Sequence, residues 1–251
     1  MTTKLRSLFV PAVIVICIVM LMSLAQRAPS ETEMRVMKYA QEKGILFSAY
    51  PQSLIDLLER NPETEEFVLN YPFRPEEEAV DLQDYDLERS MPLFLQWDAR
   101  WGYMSYSGDF VAVTGSGPMC LAMAGCFVTG GDERFYPDQV VEFAQKNGYT
   151  ATKGNGSDRT LITQGGAALG LDVKELPIVE QKISSYLHNG DPIIALMREG
   201  EFSDTGHYIL ITDYDAGMLI INDPDSKVNS QQKWPYEELV SQIRSLWVVS
   251  E

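Results

Sequence analysis

The sequence predicts an α+β domain in which helices precede an antiparallel β-sheet, and three observations carry that prediction. Beyond Met91, apolar stretches with helical punctuation come first, and short strand-like apolar runs come after them. Two of those runs are joined only by Asp213-Tyr214-Asp215-Ala216-Gly217, a turn-forming stretch that makes them a hairpin and the sheet antiparallel. Helices are expected over 118–128 with Gly130 behind, over 137–147 stopped by Gly148, and over 157–169 followed by Gly170. A fourth is expected over 178–189, with Ile183, Tyr186 and Leu187 on one face and Gly190 as its C-terminal stop. Strands are expected over 193–197, 208–212, 218–221 and 246–249.

The chain has 251 residues, 45% of them hydrophobic, which is the composition of an ordered globular protein. Its formal charge of −16 repels phosphate backbones, so nucleic acid is excluded as a partner. Two histidines (His188, His207) and three cysteines (Cys17, Cys120, Cys126) are too few for a zinc finger or a disulfide scaffold. Asp213, Asp215, Asp223 and Asp225 lack the spacing and glycine of a calcium loop and read as turn formers. No metal or organic cofactor is expected.

Three regions are expected along the chain. In residues 1–30, Lys4 and Arg6 precede an apolar run over 8–25, which reads as a signal peptide or an uncleaved N-terminal membrane anchor helix. Either way the remainder lies outside the cytoplasm, secreted or held at the membrane. Cys17 within that run reads as a small apolar residue. Residues 31–90 carry fifteen acidic and six basic side chains and form an acidic helical accessory region ending in a linker at Pro72, Pro75 and Glu76-Glu77-Glu78, with a solvated spacer as its simplest role. Within it, helices are expected around Met34, Met37 and Ala40, around Leu54 to Leu58, and over 63–69. Residues 91–251 form the main domain.

Chemistry concentrates at Gly115-Ser116-Gly117-Pro118, where a glycine-flanked serine stands at the start of an apolar helix. Flanking glycines permit close backbone approach, and a helix N-terminus offers free N–H groups and a positive dipole. The plain alternative is that Ser116 is an N-cap. Downstream, Gly206-His207 opens an apolar strand, and Asn222-Asp223-Pro224 closes the next one. Hairpin pairing brings Asp223 beside the imidazole of His207, the arrangement in which a carboxylate orients a catalytic base. His188 lies at a helix C-terminus and reads as structural.

These pieces, with Phe94-Leu95-Gln96-Trp97-Asp98-Ala99-Arg100-Trp101 and Leu121-Ala122-Met123, resemble the bacterial C39-type peptidase-like domains, relatives of the double-glycine leader peptidases within the papain-like superfamily. The segment from Tyr50-Pro51 to Tyr71-Pro72 is similar to the helical region preceding such domains in secreted Gram-positive proteins. The resemblance implies a papain-like fold, hydrolysis of a peptide or protein substrate, and a cell-wall peptide as a further candidate. It also implies Gln96 as an oxyanion-hole donor, His207 as general base and Asp223 as its orienter.

The nucleophile departs from the family pattern, because Ser116 stands where Gly-Cys-Gly-Pro has its cysteine. Cys120 lies one turn, about 6 Å, deeper along the helix and reads as packing, as does Cys126. A serine must lose its proton during attack, whereas a thiolate can be resident beforehand. Three readings of Ser116 stay open: a serine-dependent hydrolase, an inactive module that binds peptide or cell wall in the retained groove, and a deliberate substitution silencing a cysteine peptidase.

Overall fold

The computed structural model describes residues 28–74, 80–87, 89–151, 156–203 and 206–251. The apolar run over 8–25, with Cys17, and most of the linker, Pro75 and Glu76 to Glu78, lie outside the described residues. No helix among the described residues is long and apolar enough to cross a membrane. The chain divides into two compact units between Phe47 and Ser48.

The first unit holds helix α1, Glu31–Lys43, as the sequence leads one to expect. Ser30 and Glu33 form a reciprocal capping box, and Gly44 ends the helix in the left-handed conformation. The buried residues are Val36 and Ala40, while Met34 and Met37 are exposed, so of the three apolar positions that marked the helix only Ala40 is buried.

In the second unit, Ser48–Glu251, the remainder of the accessory region packs rather than standing apart as a solvated spacer. Helix α2, Gln52–Arg60, buries Leu54, Ile55, Leu57 and Leu58. Helix α3, Glu65–Asn70, places Phe67 on Tyr103, with ring centroids 4.1 Å apart, and the Tyr103 hydroxyl donates to the Phe67 carbonyl. A small hairpin, β1 (Ser105–Tyr106) and β2 (Asp109–Phe110), leads into the single turn α4, Val111–Thr114, and then into α5, Ser116–Thr129. Helix α5 is apolar all round and buried from Gly117 to Cys126, the pattern of a central core helix. Helix α6, Pro137–Lys146, follows. The helix expected over 157–169 is instead a π-helical turn, Leu161–Gly165, running into α7, Gly166–Ala168. Gly166 lies where a Cβ would come within 2.8 Å of Val173, so the wider turn lets the backbone press against the sheet.

The main sheet has six strands in the order β3-β8-β4-β5-β6-β7, every neighbouring pair antiparallel. They are β3 (Asp172–Leu176), β4 (Ile193–Met197), β5 (His207–Asp215), β6 (Met218–Asn222), β7 (Lys233–Pro235) and β8 (Ile243–Ser250). Helices α8 (Glu180–His188), α9 (Lys227–Gln231) and α10 (Tyr236–Ser241) are interspersed with them. Ile194, Leu210, Trp247 and Val249 pack with α5, whereas Ile193, Ala195, Ile209, Ile211 and Val248 pack with Ile183 and Leu187 of α8 and Leu239 of α10. Both sheet faces are therefore covered, which explains why β4 and β5 read as unbroken apolar runs. The expected hairpin is β5-β6, turning through Ala216 and Gly217 with φ of 50° and 86°.

Gly125 fixes how α5 meets its neighbour, because a Cβ there would sit 2.1 Å from Cδ1 of the fully buried Phe135. Alanine gains about 1 kcal/mol of helix propensity, but overpacking a closed core costs roughly 1–3 kcal/mol. Gly125→Ala is expected to lower Tm by about 2–4 °C; a variant melting at or above the parent would show that Phe135 moves aside freely.

Candidate active site

Ser116 is the first residue of α5, and the N-cap is Gly115, which makes no side-chain cap. The N-cap reading of Ser116 therefore fails: its hydroxyl leaves the helix end unbonded and accepts instead from the Tyr208 N–H, at 3.3 Å, across to β5. Over residues 114–126 only Ser116 is not buried. The two glycines beside it answer to protein neighbours. A Cβ at Gly115 would lie 2.5 Å from the Val111 carbonyl oxygen, and one at Gly117 would lie 2.4 Å from Ser157 Oγ. Glycine at 115 permits the break between α4 and α5, and glycine at 117 lets the helix end abut the 156–158 strand of chain.

His207 opens β5 directly after Gly206, whose φ of +91° turns the chain into the sheet. The β5-β6 register pairs Leu210 with Asn222, which carries Asp223 past the strand end and next to His207. The imidazole Nε2–H donates to Asp223 Oδ1 at 2.6 Å, with His207 6% and Asp223 1% exposed. The carboxylate is further held by the Asp225 N–H on Oδ1 at 2.9 Å and by Asn229 Nδ2 on Oδ2 at 2.7 Å, while the Asp223 N–H donates to Ser230 Oγ. Burial pulls the imidazole pKa down, but the charge and hydrogen bond of Asp223 outweigh it, so His207 titrates above its ordinary value. With Nε2 committed, Nδ1 is the nitrogen left for chemistry.

Gln96 is buried and anchored at both ends. Its N–H donates to the Pro224 carbonyl, and its Nε2 donates to the Ala112 carbonyl at 2.9 Å and to Asp225 Oδ1 at 3.1 Å. Its Oε1 is buried with no partner among the described residues. Asp225 also faces Arg60 at 4.0 Å, and burial raises its carboxyl pKa further than Arg60 and His207 lower it. Ser116, His207, Gln96, Asp225, Arg60 and Tyr208 all line one cleft of about 1070 Å³, as does the 198–203 stretch.

Cys120 and Cys126 are free and buried. Burial, and then the nearby Asp223 charge, push the Cys120 thiol well above its ordinary pKa, so a neutral, inaccessible thiol stands below Ser116. Burial likewise pushes Cys126 up to about 12, and its Sγ–H donates to the Phe135 carbonyl. His188 closes α8 and bonds the Tyr214 carbonyl with Nε2. The four aspartates considered for calcium are employed separately: Asp213 accepts from the Tyr214 N–H and Asp215 from Lys233, while Asp223 and Asp225 serve the cleft. No three metal-ligating side chains converge among the described residues.

Residues 132–249 match the Peptidase_C39 like family. Those residues belong to the C39-like peptidase family. The matched stretch includes His207 and Asp223, while Gln96 and Ser116 precede it. No curated protein matches the sequence. Among solved structures, the chain is similar to the peptidase domain of Streptococcus ComA, a bi-functional ABC transporter involved in a quorum-sensing pathway. There the identity is 18% and the TM-score 0.42, over 54% of this chain and 90% of that one. It is also similar to a C39-like peptidase from Bacillus anthracis, at 12% identity and a TM-score of 0.40, over 55% of this chain and 88% of that one.

The sequence did not single out Arg60, Asn61, Glu63 or Asn229 as neighbours of the His207–Asp223 pair. Asp225 carried a faint signal, the repeat Asp223-Pro224-Asp225, which puts two carboxylates on one tight turn. Asn229 reaches Asp223 from six residues further along the same turn, whereas Arg60, Asn61 and Glu63 arrive only through tertiary packing.

Proposed function

We propose that the cleft hydrolyses peptide bonds through an acyl-enzyme formed on Ser116. The observation that carries this reading is the buried, hydrogen-bonded His207–Asp223 pair, whose imidazole lines the same cleft as the Ser116 hydroxyl. His207 Nδ1 takes the hydroxyl proton as Ser116 Oγ bonds to the substrate carbonyl carbon, and Asp223 stabilises the imidazolium. The carbonyl electron pair moves onto oxygen, facing the free amides at the start of α5. Collapse breaks the C–N bond, the imidazolium gives its proton to the amine, and water repeats the sequence to release the acid. Gln96 joins as an oxyanion donor by exchanging its bond to Asp225 for one to that oxygen. The setting is extracytoplasmic, from Lys4 and Arg6 ahead of the apolar run, and the substrate is a peptide or protein.

The raised His207 pKa sets the pH behaviour. A general base must be neutral, so turnover by Ser116 is expected to rise with pH through a midpoint above 6.5. The stabilisation from the protonated pair is complete below that value and fades as pH climbs through the raised one. His207→Ala is expected to cut turnover of a peptide library by about 10³–10⁴-fold, leaving peptide affinity in place. A parent protein that neither turns over peptides nor labels with an acyl-reactive serine probe sinks the hydrolase reading.

The second reading, a peptide- or cell-wall-binding module, draws on Gln96, whose two amide hydrogens are both spent within the protein. Peptide affinity without turnover in parent and Ser116→Cys alike would favour it.

A further inference from the structure

A chain of hydrogen bonds runs from the accessory region into the orienter of the site. Ser226 Oγ donates to Glu63 Oε1 at 2.6 Å, and Oε1 also receives the Val228 N–H at 3.4 Å. Glu63 Oε2 receives the Lys227 N–H at 2.9 Å. The same Ser226 Oγ accepts the Asn229 N–H, and Asn229 Nδ2 then grips Asp223 Oδ2. Beside this chain, Asn61 Nδ2 donates to the Asp225 carbonyl at 2.5 Å, which Trp97 Nε1 also reaches, at 2.9 Å. Asn61 is itself fixed, its Oδ1 accepting the Glu63 N–H.

Helix α9 has five residues, too short to persist unaided, and the first N–H groups of any helix lack internal partners. Glu63, more than 160 positions upstream, supplies acceptors for two of them. Neither Glu63 nor Asn61 lines the cleft, so neither touches substrate.

We propose that Glu63 and Asn61 are positioning residues: they clamp the 223–229 turn so that Asp223 holds the His207 imidazole in register, making the accessory segment part of the site's mounting. The inference rests on the reading of His207 as the catalytic base, and its main test is independent of turnover. The charged groups facing His207 are Asp223, Asp225 and Arg60, all of which the test variants retain.

The chain has two histidines, so histidine-selective NMR titration of the full chain resolves His207 with His188 as internal control. Glu63→Ala is expected to lower the His207 midpoint while His188 stays put. Glu63→Gln, which keeps one acceptor oxygen but loses the charge, should lower it clearly less. An unchanged His207 midpoint in folded Glu63→Ala overturns the proposal, as do equal shifts in the two variants, which would mark a remote charge effect. Should Glu63→Ala not fold, Asn61→Ala carries the comparison by the same criterion, a lowered midpoint for and an unchanged one against. With Ser116→Cys in the background, Glu63→Ala should reduce kcat about tenfold at constant KM, the signature of a slightly misplaced base; a change in KM alone counts against positioning. A His207 shift together with no turnover in any variant leaves the clamp standing and removes the hydrolase reading instead.

Discussion

Ser116→Cys is expected to raise peptide hydrolysis at pH 7 by about 100-fold or more, the scale of a site relieved of a nucleophile misplaced by near 1 Å. A thiol at position 116 stands at the mouth of α5, in the same cleft as an imidazole whose pKa Asp223 holds above the ordinary value. Helix dipole and imidazolium together depress a cysteine from about 8.5 into the range ~3.5–7.5, so the thiolate exists before substrate arrives. Its reaction should flatten across neutral pH, in contrast to the rising profile of the serine form. Iodoacetamide should label position 116 rapidly and spare Cys120 and Cys126, which are buried and whose thiols are pushed far up. If the introduced thiol labels no faster than an ordinary exposed one, the site lacks the polarity that the mechanism requires.

Removing the Asp223 carboxylate has the second large effect. Asp223→Ala leaves Asn229 Nδ2 and the Asp225 N–H without their acceptor at a position only 1% exposed. Each stranded donor costs about 1–3 kcal/mol, and breaking a buried pair costs about 3–5 kcal/mol in total. The His207 pKa should cross from above its ordinary value to below it, since burial remains while the opposing carboxylate is gone. Turnover in the Ser116→Cys background should fall by about 10³–10⁴-fold. Urea unfolding and histidine NMR read these outcomes; a stability loss below about 1 kcal/mol with an unmoved His207 midpoint would show that the pair carries little weight.

Legibility in the sequence followed burial and punctuation. Helices α5 and α6 and strands β4, β5 and β6 combine apolar runs with glycine or proline at their ends, and those signals are local. Strand β3 was silent because it is a sheet edge whose Asp172, Lys174 and Glu175 face water, and β7 is a three-residue edge closed by Pro235. The 161–165 turn kept helical composition while its geometry was set by Gly166 against Val173. At the site, the meeting of His207 and Asp223 follows from hairpin arithmetic, the kind of contact a sequence encodes directly. That Glu63 caps α9, and that Arg60 and Gln96 converge on Asp225, depends on packing across more than 120 residues, for which no spacing rule exists.

Strand order also bears on when the site can exist. Strand β8 is the latest strand in chain order, yet it lies between β3 and β4, next to the strand that pairs with the one carrying His207. During synthesis at roughly 5–20 residues per second, Ser116 emerges many seconds before β8, at a time when the place between the edge strand β3 and β4 is unfilled. A nascent chain therefore carries Ser116 and His207 before β4 has both of its neighbours. The insertion of residues 243–250 joins β3 to β4, so the order of strands leaves the six-stranded sheet unfinished until the last of its strands has been made.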